Sequence, residues 1–250
     1  DQRYVALGGP AKIVRLLKTA DGGLAHEIRK HTDWVTALEF SPDGKRLATA
    51  DRSGNLFLWE TRGARELVTL SGHSGGITAV AWRPDGKVVA SVSADGSARL
   101  WDAKTGESVK NWACHSGGAE WIGWLPDGRL VTTVRDKKAK LWKADGALER
   151  ELGPLAEIGT RVAATSDGAR IFAGDWSGEL TAFATADGAK AGGLDTNPPR
   201  LEQRIAAAEK ALAEVAAAEQ ARQAEAGKGV ERWKGELEFS RQPPPVPVKE

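Results

Sequence analysis

Three histidines stand at a fixed step in this chain: His31, His73 and His115 are 42 residues apart. Behind His73 come Ser91, Asp95 and Trp101. Behind His115 come Thr132, Asp136 and Trp142. The first copy keeps Trp59, but its Asp51 lies two residues further from the tryptophan than Asp95 does from Trp101. Serine, histidine and aspartate are the groups of nucleophilic hydrolysis, and histidine with aspartate can hold a metal. The spacing argues against both. Hydrolysis needs an exposed nucleophile within reach of a base, and the G-x-S-x-G match at Gly72–Gly76 leads into the alternating run 77–82 rather than a helix, so it forms no nucleophile elbow. A metal needs ligands that converge, whereas one histidine per repeat unit cannot meet its neighbour's. Cys114 is the single cysteine, so neither an intramolecular disulfide, a cysteine zinc site nor a CxxCH haem attachment can be built. No phosphate-cradling Walker loop occurs. The repeated Asp-Gly turns lack the adjacent ligands that calcium requires. No catalytic, cofactor-binding or metal-binding residue is assigned, no cofactor is expected, and the chain reads as non-enzymatic.

The elements that carry these residues are short. The 250 residues include 29 glycines, many in Asp-Gly pairs, which marks frequent tight turns. Lysine and arginine total 35 against 34 acidic residues, a net charge of +1. No global field steers the chain to nucleic acid or an acidic membrane, and no stretch approaches the roughly 18 apolar residues of a membrane span. Ten tryptophans stand against one tyrosine and five phenylalanines, and several of them recur in step. Pro42, Pro84 and Pro126 keep the 42-residue interval, each followed by Asp-Gly. A worn fourth copy has Ser166-Asp167-Gly168 at the turn and Phe183 at the tryptophan position.

Within the second unit, 77–82, 87–93, 97–101 and 108–113 read as four strands separated by Pro-Asp-Gly, Asp-Gly and Lys-Thr-Gly turns. Two-residue alternation bounded by glycine, proline and aspartate supports strands and leaves no room for helices. Gly72-His73, Pro84-Asp85-Gly86, Asp95 and Trp101-Asp102, with counterparts in the flanking units, strongly resemble the WD40-repeat β-propeller family. The likeness spans residues 1–195. It implies an all-β fold: a propeller segment of four full four-stranded blades and one three-stranded partial blade. Asp1 to Thr19 aligns with Asp43 to Thr61, with Leu17 at the place of Trp59, so the first blade begins at its second strand. From this we expect a longer chain with further blades upstream, or closure by a second copy. The resemblance also assigns His31, Trp59, His73, Ser91, Asp95, Trp101, His115, Thr132, Asp136 and Trp142 to structural hydrogen-bond networks inside blades. The His31 network is the least well matched.

At residue 197 the composition changes. Asn197-Pro198-Pro199 suits a helix start, and 200–226 is rich in Ala, Glu and Arg, with Gly227 and Gly229 expected to end the helix. Leu201, Ile205, Ala208, Leu212 and Val215 fall at coiled-coil spacing for about two heptads, so self-association through 200–226 is an option. A short second amphipathic piece follows, the extension reaching residue 241. The proline-rich tail 242–250 is expected to be disordered. A propeller joined to such a helix also resembles large planctomycete-type multidomain WD-repeat proteins that carry c-type cytochrome domains. That likeness would place the chain in an extracytoplasmic bacterial compartment, as an accessory module whose redox or hydrolytic chemistry lies elsewhere. The residues themselves specify no compartment.

The best reading is a protein-interaction scaffold. Trp34 precedes a first strand and Trp176 lies in a second-to-third-strand turn. In the resembled family those loops open on the usual partner face. Trp34, Trp176, Arg52 and Arg135 are the candidate contacts with a protein or peptide, since tryptophan and arginine dominate binding hot spots. The basic run 135–140 is either a solvated loop or a contact for an acidic partner. No aromatic stacking pattern accompanies it that would suit nucleic acid. Trp82 and Trp124 end first strands as core residues, and Trp121 stands near the central channel or a blade interface.

Overall fold

A computed structural model describes residues 3–115, 117–195 and 201–240. The chain divides into two compact units, Asp1–Asn197 and Pro198–Glu250. The first holds five antiparallel sheets, one three-stranded and four four-stranded. Blade 1 comprises β1 (Tyr4–Leu7), β2 (Val14–Lys18) and β3 (Leu24–Ile28). Blade 2 is β4 (Val35–Phe40), β5 (Arg46–Asp51), β6 (Leu56–Glu60) and β7 (Arg65–Leu70). Blade 3 is β8 (Ile77–Trp82), β9 (Val88–Ser93), β10 (Ser97–Asp102) and β11 (Ser108–Ala113). Blade 4 is β12 (Ala119–Trp124), β13 (Leu130–Val134), β14 (Ala139–Trp142) and β15 (Leu148–Leu152). Blade 5 is β16 (Gly159–Ala164), β17 (Arg170–Asp175), β18 (Glu179–Ala184) and β19 (Lys190–Asp195). These are the expected four full blades and one three-stranded blade.

Each blade buries its faces against its neighbours, so four apolar clusters sit between sheets rather than inside one. Leu56, Leu58, Ile77, Val80, Val89 and Trp101 join blades 2 and 3. Ala90, Leu100, Ile122, Leu130 and Trp142 join blades 3 and 4. Val131, Leu141, Ile171 and Phe183 join blades 4 and 5, while Val14, Leu16, Leu47 and Trp59 join blades 1 and 2. Trp101 is 1% exposed; burying a side chain of its size removes roughly 150–250 Å² from water, on the order of 4–6 kcal/mol. Burial on both sides is most complete in the second strand of blade 3, where all of β9 is buried. In blade 1, by contrast, β1 alternates half-buried with exposed residues.

Two irregularities recur in register. First strands bulge between 35 and 37, 77 and 79, 119 and 121, and 159 and 161. Such bulges re-aim the extra side chain. Here Thr36 Oγ1 donates to the Ile77 carbonyl (2.5 Å), and Thr78 Oγ1 donates to the Ala119 carbonyl (2.6 Å), each crossing to the next blade. In the reverse direction the indoles of Trp82 and Trp124 donate to the carbonyls of Glu39 (3.0 Å) and Ala81 (3.1 Å). These tryptophans are therefore stitches between blades as well as core residues. The junction of blades 4 and 5 has Glu120 and Ala164 at the corresponding positions. It is bridged instead by the Arg161 guanidinium, 3.8 Å from the centroid of the Trp121 ring. On the outer rim, Gly146 (φ 81°) lies beneath the Trp112 ring, where an added Cβ would come within 2.9 Å of a ring carbon. Both the backbone conformation and the contact require glycine there.

Among the described residues the second unit contains one helix, α1 (Leu201–Ser240), 40 residues long. It corrects the expectation of a stop at 227–229. Gly227 and Gly229 do not take the left-handed conformation of a helix end. Each costs about 1 kcal/mol within a helix, which the strong helix formers on either side offset. Ile205, Leu212, Val215, Val230 and Trp233 are about half exposed or more. Residues 196–200 and 241–250, which include the expected helix start and proline-rich tail, lie outside the described residues.

Candidate interaction face

The histidine sets form chains of hydrogen bonds within blades. In blade 3, the Trp101 indole donates to Ser91 Oγ (2.8 Å) and His73 Nε2 lies 2.8 Å from the same oxygen. His73 Nδ1 lies 3.0 Å from Asp95 Oδ2. An indole only donates and a hydroxyl carries one proton. The chain is satisfied in one direction: Trp101 to Ser91, Ser91 to His73 Nε2, and His73 Nδ1–H to Asp95, with a neutral imidazole. Blade 2 repeats it through Trp59, Thr49, His31 and Asp51, at 2.7, 2.8 and 2.9 Å. There both the His31 and Asp51 side chains are wholly buried. The least well matched network in the sequence is the most enclosed in the structure. Thr49 and Asp51 belong to it, Asp51 ending its strand where blade 3 has Ser93. Asx-type bonds from the amides of Ser53 and Asn55 hold its other oxygen.

Blade 4 corrects the assignment of Asp136. Thr132 bridges Trp142 and His115 as expected, both at 2.9 Å. Asp136 Oδ2, however, is 3.8 Å from His115 Nδ1, beyond hydrogen-bond range, and that nitrogen has no hydrogen-bond partner among the described residues. Blade 3 holds its aspartate with the Ser97 hydroxyl, 2.7 Å from Asp95 Oδ1 and 3.2 Å from His73 Nδ1. Blade 4 has Lys138 at that position, and among the described residues Asp136 accepts the Lys138 amide alone (3.1 Å).

Burial dominates the electrostatics of these sets. Burial lowers the pKa of His31 and His73 against the pull of their aspartates. Burial, reinforced by the Lys140 charge, takes His115 down to about 3. Burial pushes Asp51 and Asp95 up, but hydrogen bonds from Asn55 and His31 to Asp51, and from Ser97, Ser74 and His73 to Asp95, outweigh it. Both carboxyls stay below the usual range. Burial takes the Cys114 thiol up to about 12, away from reactivity. Among the described residues no group of three or more His, Cys, Asp or Glu is arranged to hold a metal.

Antiparallel order puts the connections between blades and the second-to-third-strand turns at one end of every sheet. The Pro-Asp-Gly turns lie at the other. Trp34, Arg52, Arg135 and Trp176 all fall at the first end. Trp34 is 48% exposed and Trp176 75%. The structure brings Trp34 and Arg52 together: the guanidinium carbon sits 5.5 Å from the indole centroid, and the Arg52 amide donates to the Trp34 carbonyl (2.9 Å). Arg135 and Trp176 occupy the turn position equivalent to Arg52 in blades 4 and 5. Blade 3 has Ala94 there and Gly75-Gly76 before its first strand, so it offers no large side chain. Arg135 is engaged by Glu120 (2.6 Å).

Residues 22–60, 64–102 and 106–143 match the family described as WD domain, G-beta repeat. The chain thus carries three WD40 repeats between residues 22 and 143. Each matched WD40 segment starts at the outer strand of one blade and ends with the third strand of the next, so repeats and blades are one strand out of step. Over 39 residues the chain is 51% identical to a probable cytosolic Fe-S cluster assembly factor of Schizosaccharomyces pombe, covering 16% of this chain and 6% of that protein. Over 34 residues it is 53% identical to a probable cytosolic Fe-S cluster assembly factor of Schizosaccharomyces japonicus, covering 14% of this chain and 6% of the relative. The likeness is about one WD40 repeat long.

Sequence reasoning missed Glu39. It lies on β4, accepts the Trp82 amide at its Oε2 (3.1 Å), and has no cationic partner within salt-bridge distance among the described residues. Burial raises its pKa to about 7. With Trp82, Trp121 and Trp124 it lines a cavity of about 450 Å³ beside the Pro-Asp-Gly turns. A lone glutamate in an apolar first strand was the available signal.

Proposed function

We propose that this WD40 chain is a non-enzymatic protein-interaction scaffold whose contact surface is the face carrying Trp34, Arg52, Arg135 and Trp176. The observation that supports it best is the exposure of two tryptophans on one end of a rigidly stitched blade array. Exposed indoles on a fixed frame lose little entropy on binding and supply large contact area. The His31 and His73 sets are consumed within blades, and among the described residues no acid, base and nucleophile converge. Self-association through helix 200–226 would add a second contact element, supported by the exposure of Ile205, Leu212 and Val215. The single repeat shared with Fe-S assembly factors carries no inference about iron or sulfur. The test is affinity capture with the native chain, with Trp34→Ala/Trp176→Ala, and with Asp85→Ala/Asp127→Ala on the opposite end. Loss of captured protein with the tryptophan variant alone supports the proposal. Capture that survives the tryptophan variant refutes it.

A further inference from the structure

Positive charge on this face is unevenly spent. The basic run that stands out in the sequence is neutralised: Arg135 pairs with Glu120 (2.6 Å), Lys137 with Glu157 (3.1 Å), and Lys138 and Lys140 with Glu151 (2.6 and 3.6 Å). Around Trp34 it is not. Arg52 and Lys12 are exposed, and neither has a carboxylate within ion-pair distance among the described residues. Lys12 Nζ donates to the Thr32 carbonyl (2.8 Å), which places a second cation beside the same loop. Asp33, next to Trp34 in the chain, turns Oδ1 to the Trp34 amide (2.8 Å). Asp51 beneath is held by His31, Asn55, and the amides of Thr32 and Ser53.

We propose that Trp34, Arg52 and Lys12 dock an acidic segment of a partner protein. A partner carboxylate takes the Arg52 guanidinium fork, with Lys12 close by, and an adjacent partner side chain packs on Trp34. The proposal rests on reading this end of the blades as the interaction face, and it names the partner's chemistry there. A guanidinium offers paired N–H donors that match a carboxylate, and among the described residues the Arg52 donors are taken up by no side-chain hydrogen bond. The cation–π contact with Trp34 orients Arg52 before binding, which lowers the ordering cost. Two uncompensated cations suit one or two carboxylates. A phosphate backbone gains its affinity from many simultaneous contacts, and the 135–140 run that could have supplied them is already paired.

The test uses the full chain and fluorescence anisotropy with three labelled probes. They are a short peptide alternating Glu and Leu, its Lys-for-Glu counterpart, and an oligothymidine of similar length. The acidic peptide is expected to bind saturably, with affinity falling about tenfold for Arg52→Glu and for Trp34→Ala. The loss for Arg135→Glu is expected to stay under about twofold. Circular dichroism and melting of each variant check that the blades stay folded, and Arg52→Gln should reproduce the loss without adding a negative charge. Three results overturn the proposal: no saturable binding of the acidic peptide, an equal loss with Arg135→Glu, or an oligothymidine bound as tightly and with the same Arg52 dependence. If the peptide fails while capture still depends on Trp34 and Trp176, the acidic partner falls and the interaction face stands. If both fail, both fall.

Discussion

Glu39→Gln should make the protein more stable at alkaline pH and leave it unchanged in acid. The Glu39 carboxyl is pushed from an ordinary 4.5 to about 7 by burial, partly opposed by the Trp82 amide. The folded state therefore holds a proton that the unfolded chain has released between those values. Stability from this group is fully present below about pH 4.5 and is lost as pH rises through 7. At about 1.36 kcal/mol per tenfold the full effect is about 3 kcal/mol, and partial exposure with solvent screening reduces it to about 1–3 kcal/mol. Glutamine has the shape of the protonated acid, and its amide oxygen can still accept the Trp82 N–H. Urea denaturation of both proteins at pH 4, 6 and 8 gives the difference directly, because groups other than residue 39 titrate in both and cancel. The expected difference is near zero at pH 4 and about 1–3 kcal/mol in favour of Glu39→Gln at pH 8. A difference that stays flat within about 0.5 kcal/mol refutes the account of Glu39 as a buried, uncompensated carboxyl.

Thr132→Val keeps side-chain shape but strands the Trp142 indole and His115 Nε2. It should cost about 2–4 kcal/mol in urea unfolding, whereas Asp136→Asn, which breaks no bond to His115, should cost under about 0.5 kcal/mol. Gly227→Ala and Gly229→Ala should each strengthen α1 by about 1 kcal/mol, read as a higher helix melting midpoint in far-ultraviolet circular dichroism. No change would mean that the helix is interrupted at those residues.

The repeat is legible because blade geometry forces the same chemistry at the same offset. A tryptophan must reach a hydroxyl ten residues earlier, and a turn needs Pro-Asp-Gly where the first strand ends. His73, Ser91, Asp95 and Trp101 are thus readable in one dimension. Asp51 and Asp136 are not, because whether a carboxylate reaches the imidazole depends on turn details. Blade 2 supplies its aspartate from the strand end, while blade 4 has Lys138 where blade 3 has Ser97. Glycines at 227 and 229 mislead for a related reason: their helix cost is known, but whether the chain leaves the helix depends on the backbone conformation adopted there.

What the sequence alone determined is the number and register of blades and most of the internal struts, since these follow from local alternation and a 42-residue recurrence. Only the tertiary structure decided which charges remain available. Arg135 and Arg52 look alike in the sequence and sit in equivalent turns. Glu120 lies beside the first because it occupies the bulge of β12, while Thr36 fills that bulge in blade 2 and turns to the next blade's backbone. Arg52 is left over the Trp34 ring, and the free cation lies away from the run that the sequence marks as basic.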